Sequence, residues 1–204
     1  MPRYIVGITG ASGSIYGVRL VEELLEKKNE VHLVITENGE KVIKYELGFD
    51  VEGLISHFGK YERLGGVIKR YDINDLFAPI ASGSFPADGM VIMPCSMSTL
   101  AFIAGGMSHN LLQRAADVFL KEKRRIVIVP RETPLSSIHL ENMLKLSKMG
   151  AHIVPAMPAF YQNPKTIEDM VNFIVGRVLD ALNIQNKLVN RWEGVKLNRD
   201  FQKN

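Results

Sequence analysis

The stretch Tyr4-Ile5-Val6-Gly7-Ile8-Thr9-Gly10-Ala11-Ser12-Gly13-Ser14-Ile15-Tyr16-Gly17 decides the fold. A short apolar run that breaks into small and hydroxylated residues reads as a strand covered on both faces, turning sharply into a helix. The helix pattern follows over residues 16–28, where Val18, Leu20, Val21, Leu24 and Leu25 fall on or near one face. Three more apolar runs repeat the theme: Val31-His32-Leu33-Val34-Ile35, Met90-Val91-Ile92-Met93 and Ile126-Val127-Ile128-Val129. Helical patterns over 110–123, 136–149 and 166–182, with a short fifth strand at Ile153-Val154, complete the alternation. It predicts a doubly wound, Rossmann-like α/β fold, a parallel sheet with helices on both faces. Residues 60–88 lack clear periodicity and contain Gly65-Gly66, Pro79, Gly83 and Pro86, so they read as a long functional loop carrying a short helix.

With 204 residues, 46% hydrophobic and 23% charged, the chain has the composition of one globular domain. Its formal charge of +3 is local, because residues 187–204 hold five basic side chains against Glu193 and Asp200. We therefore read residues 1–186 as a single domain and 187–204 as a basic tail, solvated or touching another subunit. A charge-balanced body argues against nucleic acid or a membrane surface as partner, since either calls for a basic stripe in the folded part. Cys95 stands alone, and no CxxC or His/Cys pairing suggests zinc, so we expect no metal site and a reducing cytoplasm. No apolar run approaches the roughly 18 residues of a membrane span, and the one ending at Gly7 is too short for a signal-peptide core. The chain reads as soluble and cytoplasmic.

In an open parallel sheet, ligands sit at the carboxyl ends of the strands. After the first strand, the small residues from Gly10 to Gly13 let backbone N–H groups and a helix N-terminus approach an anion; they also suit a tight turn. The spacing is neither GxGxxG nor GxxxxGK[ST], and Glu37, 24 residues after Gly13, is a weak ribose ligand, so NAD is not expected. After the second strand, Thr36 is a helix N-cap or a phosphate hydroxyl. After the third, Pro94-Cys95-Ser96-Met97-Ser98-Thr99 offers three hydroxyls at a helix start, more than capping requires. Cys95, with no histidine placed to activate it, reads as a buried small hydrophobe. After the fourth, Arg131 and Glu132 stand between two prolines at the binding edge. Pro155-Ala156-Met157-Pro158-Ala159-Phe160-Tyr161 reads as a stiff apolar wall for a flat ligand.

Four segments then carry a resemblance. Gly10-Ala11-Ser12-Gly13 with Tyr16-Gly17, the run from Pro94 through Ala101, Arg131-Glu132-Thr133-Pro134-Leu135, and Pro158-Ala159-Phe160-Tyr161 with Pro164 together resemble the flavin prenyltransferases of the UbiX/Pad1 type. They span the chain through about Trp192. The resemblance implies a flavodoxin-like subunit that binds FMN and dimethylallyl phosphate and attaches the isoprenoid to N5 and then C6 of reduced FMN. The prenylated FMN would pass to a UbiD-type decarboxylase. By matching segments, Gly10, Ala11, Ser12, Thr36, Ser96, Met97, Ser98, Thr99 and Arg131 would contact FMN, with Ser98 standing where relatives are often basic. Tyr161 and Arg177 would hold dimethylallyl phosphate, Arg114, Lys121 and Glu132 would complete the phosphate and proton-transfer site, and a further active-site glutamate falls near Glu46. A homododecamer built from trimers is also implied, with FMN at subunit contacts and Trp192 helping to close the site.

Elementary chemistry agrees. Breaking an allylic C–O bond requires stabilisation of the leaving phosphate, which Lys121, Arg131 and Arg177 can supply; the sequence has no DDxxD-like cluster for magnesium. Ring closure requires proton removal, for which Glu132 and Ser12 are the candidates. The rival readings are an FMN-dependent decarboxylase of the cysteine-decarboxylase kind and a non-catalytic flavin-binding module. The first needs an active-site histidine, whereas His32 and His152 read as strand-edge residues and His57, His109 and His139 as loop or helix-surface ones. The Met- and Gly-rich segment Ala104-Gly105-Gly106-Met107 reads as an adaptable subunit contact.

Overall fold

The structure, a computed structural model, describes residues 1–189. Trp192 and the expectation attached to it lie outside the described residues. Six strands, β1 (Arg3–Ile8), β2 (Glu30–Ile35), β3 (Val67–Tyr71), β4 (Gly89–Cys95), β5 (Ile126–Pro130) and β6 (His152–Ile153), form one sheet in the order β3-β2-β1-β4-β5-β6. Every pairing is parallel. Among the described residues the seven α-helices are α1 (Ser14–Glu26), α2 (Glu37–Leu47), α3 (Val51–Glu62), α4 (Met97–Ala104), α5 (Leu111–Lys121), α6 (Ser137–Lys148) and α7 (Ile167–Ala181). The doubly wound, flavodoxin-like α/β architecture is as expected.

Burial explains why the central strands read as unbroken apolar runs. Along β4, Val91 and Met93 enter one core with α1, α3 and α7, while Met90, Ile92 and Cys95 enter the other with α4 and α5. Both faces are covered, so neither can be polar. Each fully buried aliphatic side chain, such as Leu20, Leu24 or Ile128, contributes about 1.5–3 kcal/mol by leaving water. Cys95 is fully buried, and burial pushes its thiol well above the ordinary range, consistent with a packing role.

Two expectations are corrected. Residues 60–88 are not one long loop: they hold the end of α3, the edge strand β3 and a single 3-10 turn at Pro79–Ala81. β3 escapes an apolar-run criterion because it is only half covered, and Lys69 and Arg70 point to solvent and to Glu30 and Glu40. His32 is not a strand-edge residue. It sits inside β2 at 1% exposure, with Nδ1 2.9 Å from the Tyr71 hydroxyl and the Phe85 ring packed edge-on. A Glu30 oxygen lies 3.3 Å from Nε2 but out of line for a hydrogen bond, leaving that buried nitrogen without a hydrogen-bond partner among the described residues.

This cluster titrates in a defined direction. A hydrogen bond from Lys69, with a further one from Arg3, outweighs burial and holds the Glu30 carboxyl down at about 2. Burial pushes His32 down to about 4 despite the attraction of Glu30. An unfolded chain protonates this histidine near pH 6.5, whereas the native state resists until about 4, so stability falls as pH drops through that interval. In urea unfolding across that range, His32→Gln is expected to flatten the acid loss by up to about 3 kcal/mol relative to the parent chain. Identical pH profiles for the two proteins would contradict the assignment.

Candidate active site

The strand order reverses direction between β1 and β4, so the crevice lies above their carboxyl ends. Their ladder runs as far as Gly7 and Ile92, and one more backbone bond, from the Thr9 amide to the Pro94 carbonyl at 3.2 Å, precedes their parting. The buried Thr9 hydroxyl reinforces this junction: it donates to the Pro94 carbonyl at 2.7 Å and accepts from the Ser96 amide at 2.8 Å. Sequence reading passed over Thr9; its signal is a hydroxyl at the end of an apolar run. The Met93–Pro94 and Thr133–Pro134 peptide bonds flanking the crevice are cis.

The loop after β1 closes against α2. Gly13 adopts φ +94° at the N-cap of α1, a conformation open to glycine. Glu46, near the end of α2, reaches across to this turn. Its carboxylate accepts from the Ser12 hydroxyl at 2.6 Å, the Ser14 hydroxyl at 2.7 Å, the Ser14 amide at 2.8 Å and the Gly13 amide at 3.0 Å. Burial alone would raise the Glu46 pKa, but these four donors outweigh it and hold the group below the usual carboxylate range. The structure thus gives Glu46 a definite place beside Ser12. Ser14 was not singled out by sequence reading, since nothing local announces a partner 32 residues away.

Thr36 caps α2 by accepting from the Gly39 amide at 3.1 Å. Ser96 caps α4, accepting from the Thr99 amide and donating to the Thr99 hydroxyl at 3.1 Å, while Ser98 remains exposed. After β5, Arg131 donates from Nε to the Ser12 carbonyl at 3.1 Å, tying this loop to the glycine turn. Glu132 accepts from the Thr133 amide at 2.9 Å. Tyr16 is half-buried beside Arg131; burial raises its phenol pKa against the opposing pull of that guanidinium. Gly10, Ala11, Ser12, Thr36, Ser96, Met97, Thr99, Arg131, Glu132 and Glu46 therefore belong to one end of the sheet.

Arg114, Lys121 and Arg177 do not join them within one chain, whereas Tyr161 follows β6, whose continuation reaches the crevice end by the bond from the Ala156 amide to the Pro130 carbonyl. Arg114 donates to the Ala81 carbonyl and to Asp117. Lys121 pairs with Glu122 beside Gly83, close to the start of β4. A seven-residue strand is about 23 Å long, so Lys121 lies beyond the reach of its own crevice. Arg177, paired with Asp180, lines a hollow with Ser147 and His152 on the flank of β6. Tyr161 is half-exposed and meets Phe173 edge-on at 6.0 Å. Among the described residues no three His, Cys, Asp or Glu side chains gather as metal ligands, and no helix is long and apolar enough to cross a membrane.

The family model described as Flavoprotein matches residues 1–179, which carry this doubly wound sheet and the hydroxyl-capped helix starts at its switch point. The flavin prenyltransferase UbiX of Alkalihalophilus pseudofirmus is 58% identical over 191 residues, 92% of this chain and 94% of that protein. The crystal structure of AnUbiX (PadA1) in complex with FMN and dimethylallyl pyrophosphate superposes with a TM-score of 0.87 at 42% identity, covering 96% of this chain and 99% of that one. A dodecameric FMN-dependent UbiX-like decarboxylase from Escherichia coli O157:H7 gives 0.86 at 44% identity, covering 94% and 100%. The chain belongs to the flavin prenyltransferase family.

The floor of the crevice depends on close packing. A Cβ on Gly17 would lie 2.2 Å from the Met93 carbonyl oxygen and 2.9 Å from Ile8. Gly17→Ala is expected to push α1 off β4 and cost about 1–3 kcal/mol, read as a lowered denaturant midpoint. An unchanged midpoint would show that α1 is less constrained than this contact implies.

Proposed function

We propose that this protein joins the dimethylallyl group of dimethylallyl phosphate to N5 and C6 of reduced FMN, and that the prenylated FMN serves a UbiD-type decarboxylase. The observation that carries the reading is the Arg131–Ser12 hydrogen bond, which brings the Glu132 loop against the Ser12–Glu46 pair at the switch point. The first turn of α4 has no acidic residue, and its three hydroxyls suit a single phosphate, matching a mononucleotide flavin. Bound reduced FMN supplies a nucleophilic nitrogen and a neighbouring ring carbon. Arg131 spends Nε on Ser12 and keeps its two Nη groups for an anion. Glu132 takes the proton lost as the ring closes, and Ser12, oriented by Glu46, relays it.

The crevice of one copy is short of positive charge. In the loops after β1, β4 and β5, Arg131 is the one cation, against Glu132 and the nearby Glu46. Two phosphate esters bring about four negative charges at neutral pH. We infer that Lys121, Arg114 and Arg177 of neighbouring copies make up the difference, with Tyr161, in a homo-oligomer such as a dodecamer. The flavin-binding domain then spans 1–186, the segment 187–204 is a basic tail, and the protein works in the cytoplasm without a metal or a nucleic acid.

Incubation with reduced FMN and dimethylallyl phosphate is expected to yield a flavin heavier by one isoprene unit, seen by mass and absorbance; recovery of unmodified FMN sinks the reading. Glu132→Gln is expected to keep FMN affinity while slowing product formation roughly 10²-fold. Full activity in that variant removes Glu132 from the mechanism.

Shared sites make a second forecast. Co-assembled Lys121→Ala and Glu132→Gln chains, each strongly slowed alone, are expected to recover on the order of a quarter of parental activity, the share of sites drawing an intact residue from each parent. No recovery in a verified mixed oligomer would mean that both residues act on the same chain.

A further inference from the structure

Three helix N-termini meet at the switch point, and the chain treats them differently. That of α1 is filled from within, because the Gly13 and Ser14 amides and the Ser12 and Ser14 hydroxyls all turn to the Glu46 carboxylate. The first turn of α2 carries Glu37, which answers its dipole and repels a second anion, beside Glu40, whose charge is met by Arg70. The first turn of α4 carries no acid and offers Ser96, the exposed Ser98 and Thr99.

The strand order makes this unequal treatment consequential. In a sheet ordered 3-2-1-4-5-6, the N-terminus of the first helix is the seat on which a dinucleotide rests its pyrophosphate. We propose that Glu46 is a specificity-determining residue: its carboxylate is a built-in anion that closes the α1 seat to nucleotide phosphates and leaves α4 to hold one phosphate. The crevice therefore takes a mononucleotide and rejects dinucleotides.

The closure is hard to displace. Glu46 is carried on a helix whose other end is packed down, since a Cβ on Gly39 would lie 2.7 Å from the Ile8 carbonyl oxygen. A ligand tethered this way competes at a high effective concentration against one diffusing in from solution. An incoming phosphate must break four hydrogen bonds to a charged group and then sit beside the displaced charge. This role is additional to the relay proposed above and rests on the FMN reading only for the choice of α4.

Calorimetric titration of FMN, ADP and NAD into the parent protein, Glu46→Ala and Glu46→Gln tests the idea. Opening the seat is expected to tighten ADP and NAD at least tenfold in Glu46→Ala, and less in the isosteric Glu46→Gln, so that the NAD-to-FMN ratio of dissociation constants falls. A purely structural latch would weaken all three ligands together, and that outcome, or unchanged ADP affinity in both variants, overturns the proposal. If neither variant folds, a crystal of the parent protein with FMN decides: the phosphate is expected on α4 with Glu46 still on Gly13 and Ser14. A phosphate on those two amides, with Glu46 displaced, overturns it. A parent protein that binds no FMN would sink the flavin reading instead, and the ADP comparison would still judge Glu46.

Discussion

The crevice depends on one hydroxyl. Just past the β1–β4 ladder, Thr9 grips the end of β4 twice over: its amide and its hydroxyl both donate to the Pro94 carbonyl, and the hydroxyl accepts from the Ser96 amide. The strands can then part with the Ser96 amide satisfied, where an unpaired buried amide would cost about 1–3 kcal/mol. The parting aims the glycine turn, the α4 cap and the β5 loop at a common space. Arg131 closes the circle by bonding back to Ser12.

What was legible in the sequence follows from how far each signal travels along the chain. Strands β1, β2, β4 and β5 were plain because covering both faces forces an apolar run. β3 was not, since an edge strand needs only one covered face and its Lys69 and Arg70 look like loop residues. His32 was misplaced because its neighbours Tyr71 and Phe85 arrive from β3 and the following segment, 39 and 53 positions on. Its immediate surroundings of valine and leucine gave the strand but not the layer.

At the crevice, the residues found by position were those at strand ends: Ser12, Thr36, Ser96 and Arg131 all lie where the sheet rule puts ligands. Glu46 had only a resemblance to recommend it, because its bonds cross more than 30 residues between two helices. Lys121, Arg114 and Arg177 meet the opposite outcome. The resemblance alone offers them as phosphate ligands, since each taken singly reads as a solvated helix charge, and one chain holds them at other ends and flanks of the sheet.

The two borders of the sheet carry a consequence for crowding. A naked strand edge is a template for stray pairing, and copies of one chain held close together present the highest local supply of matching strands. Here β6 is two residues long, too brief to template anything, and β3 points Lys69 and Arg70 outward, each tied to a glutamate from a neighbouring element. Copies of the chain brought close together therefore meet little free strand edge to pair with, a safeguard against amyloid-like growth that lies away from the crevice.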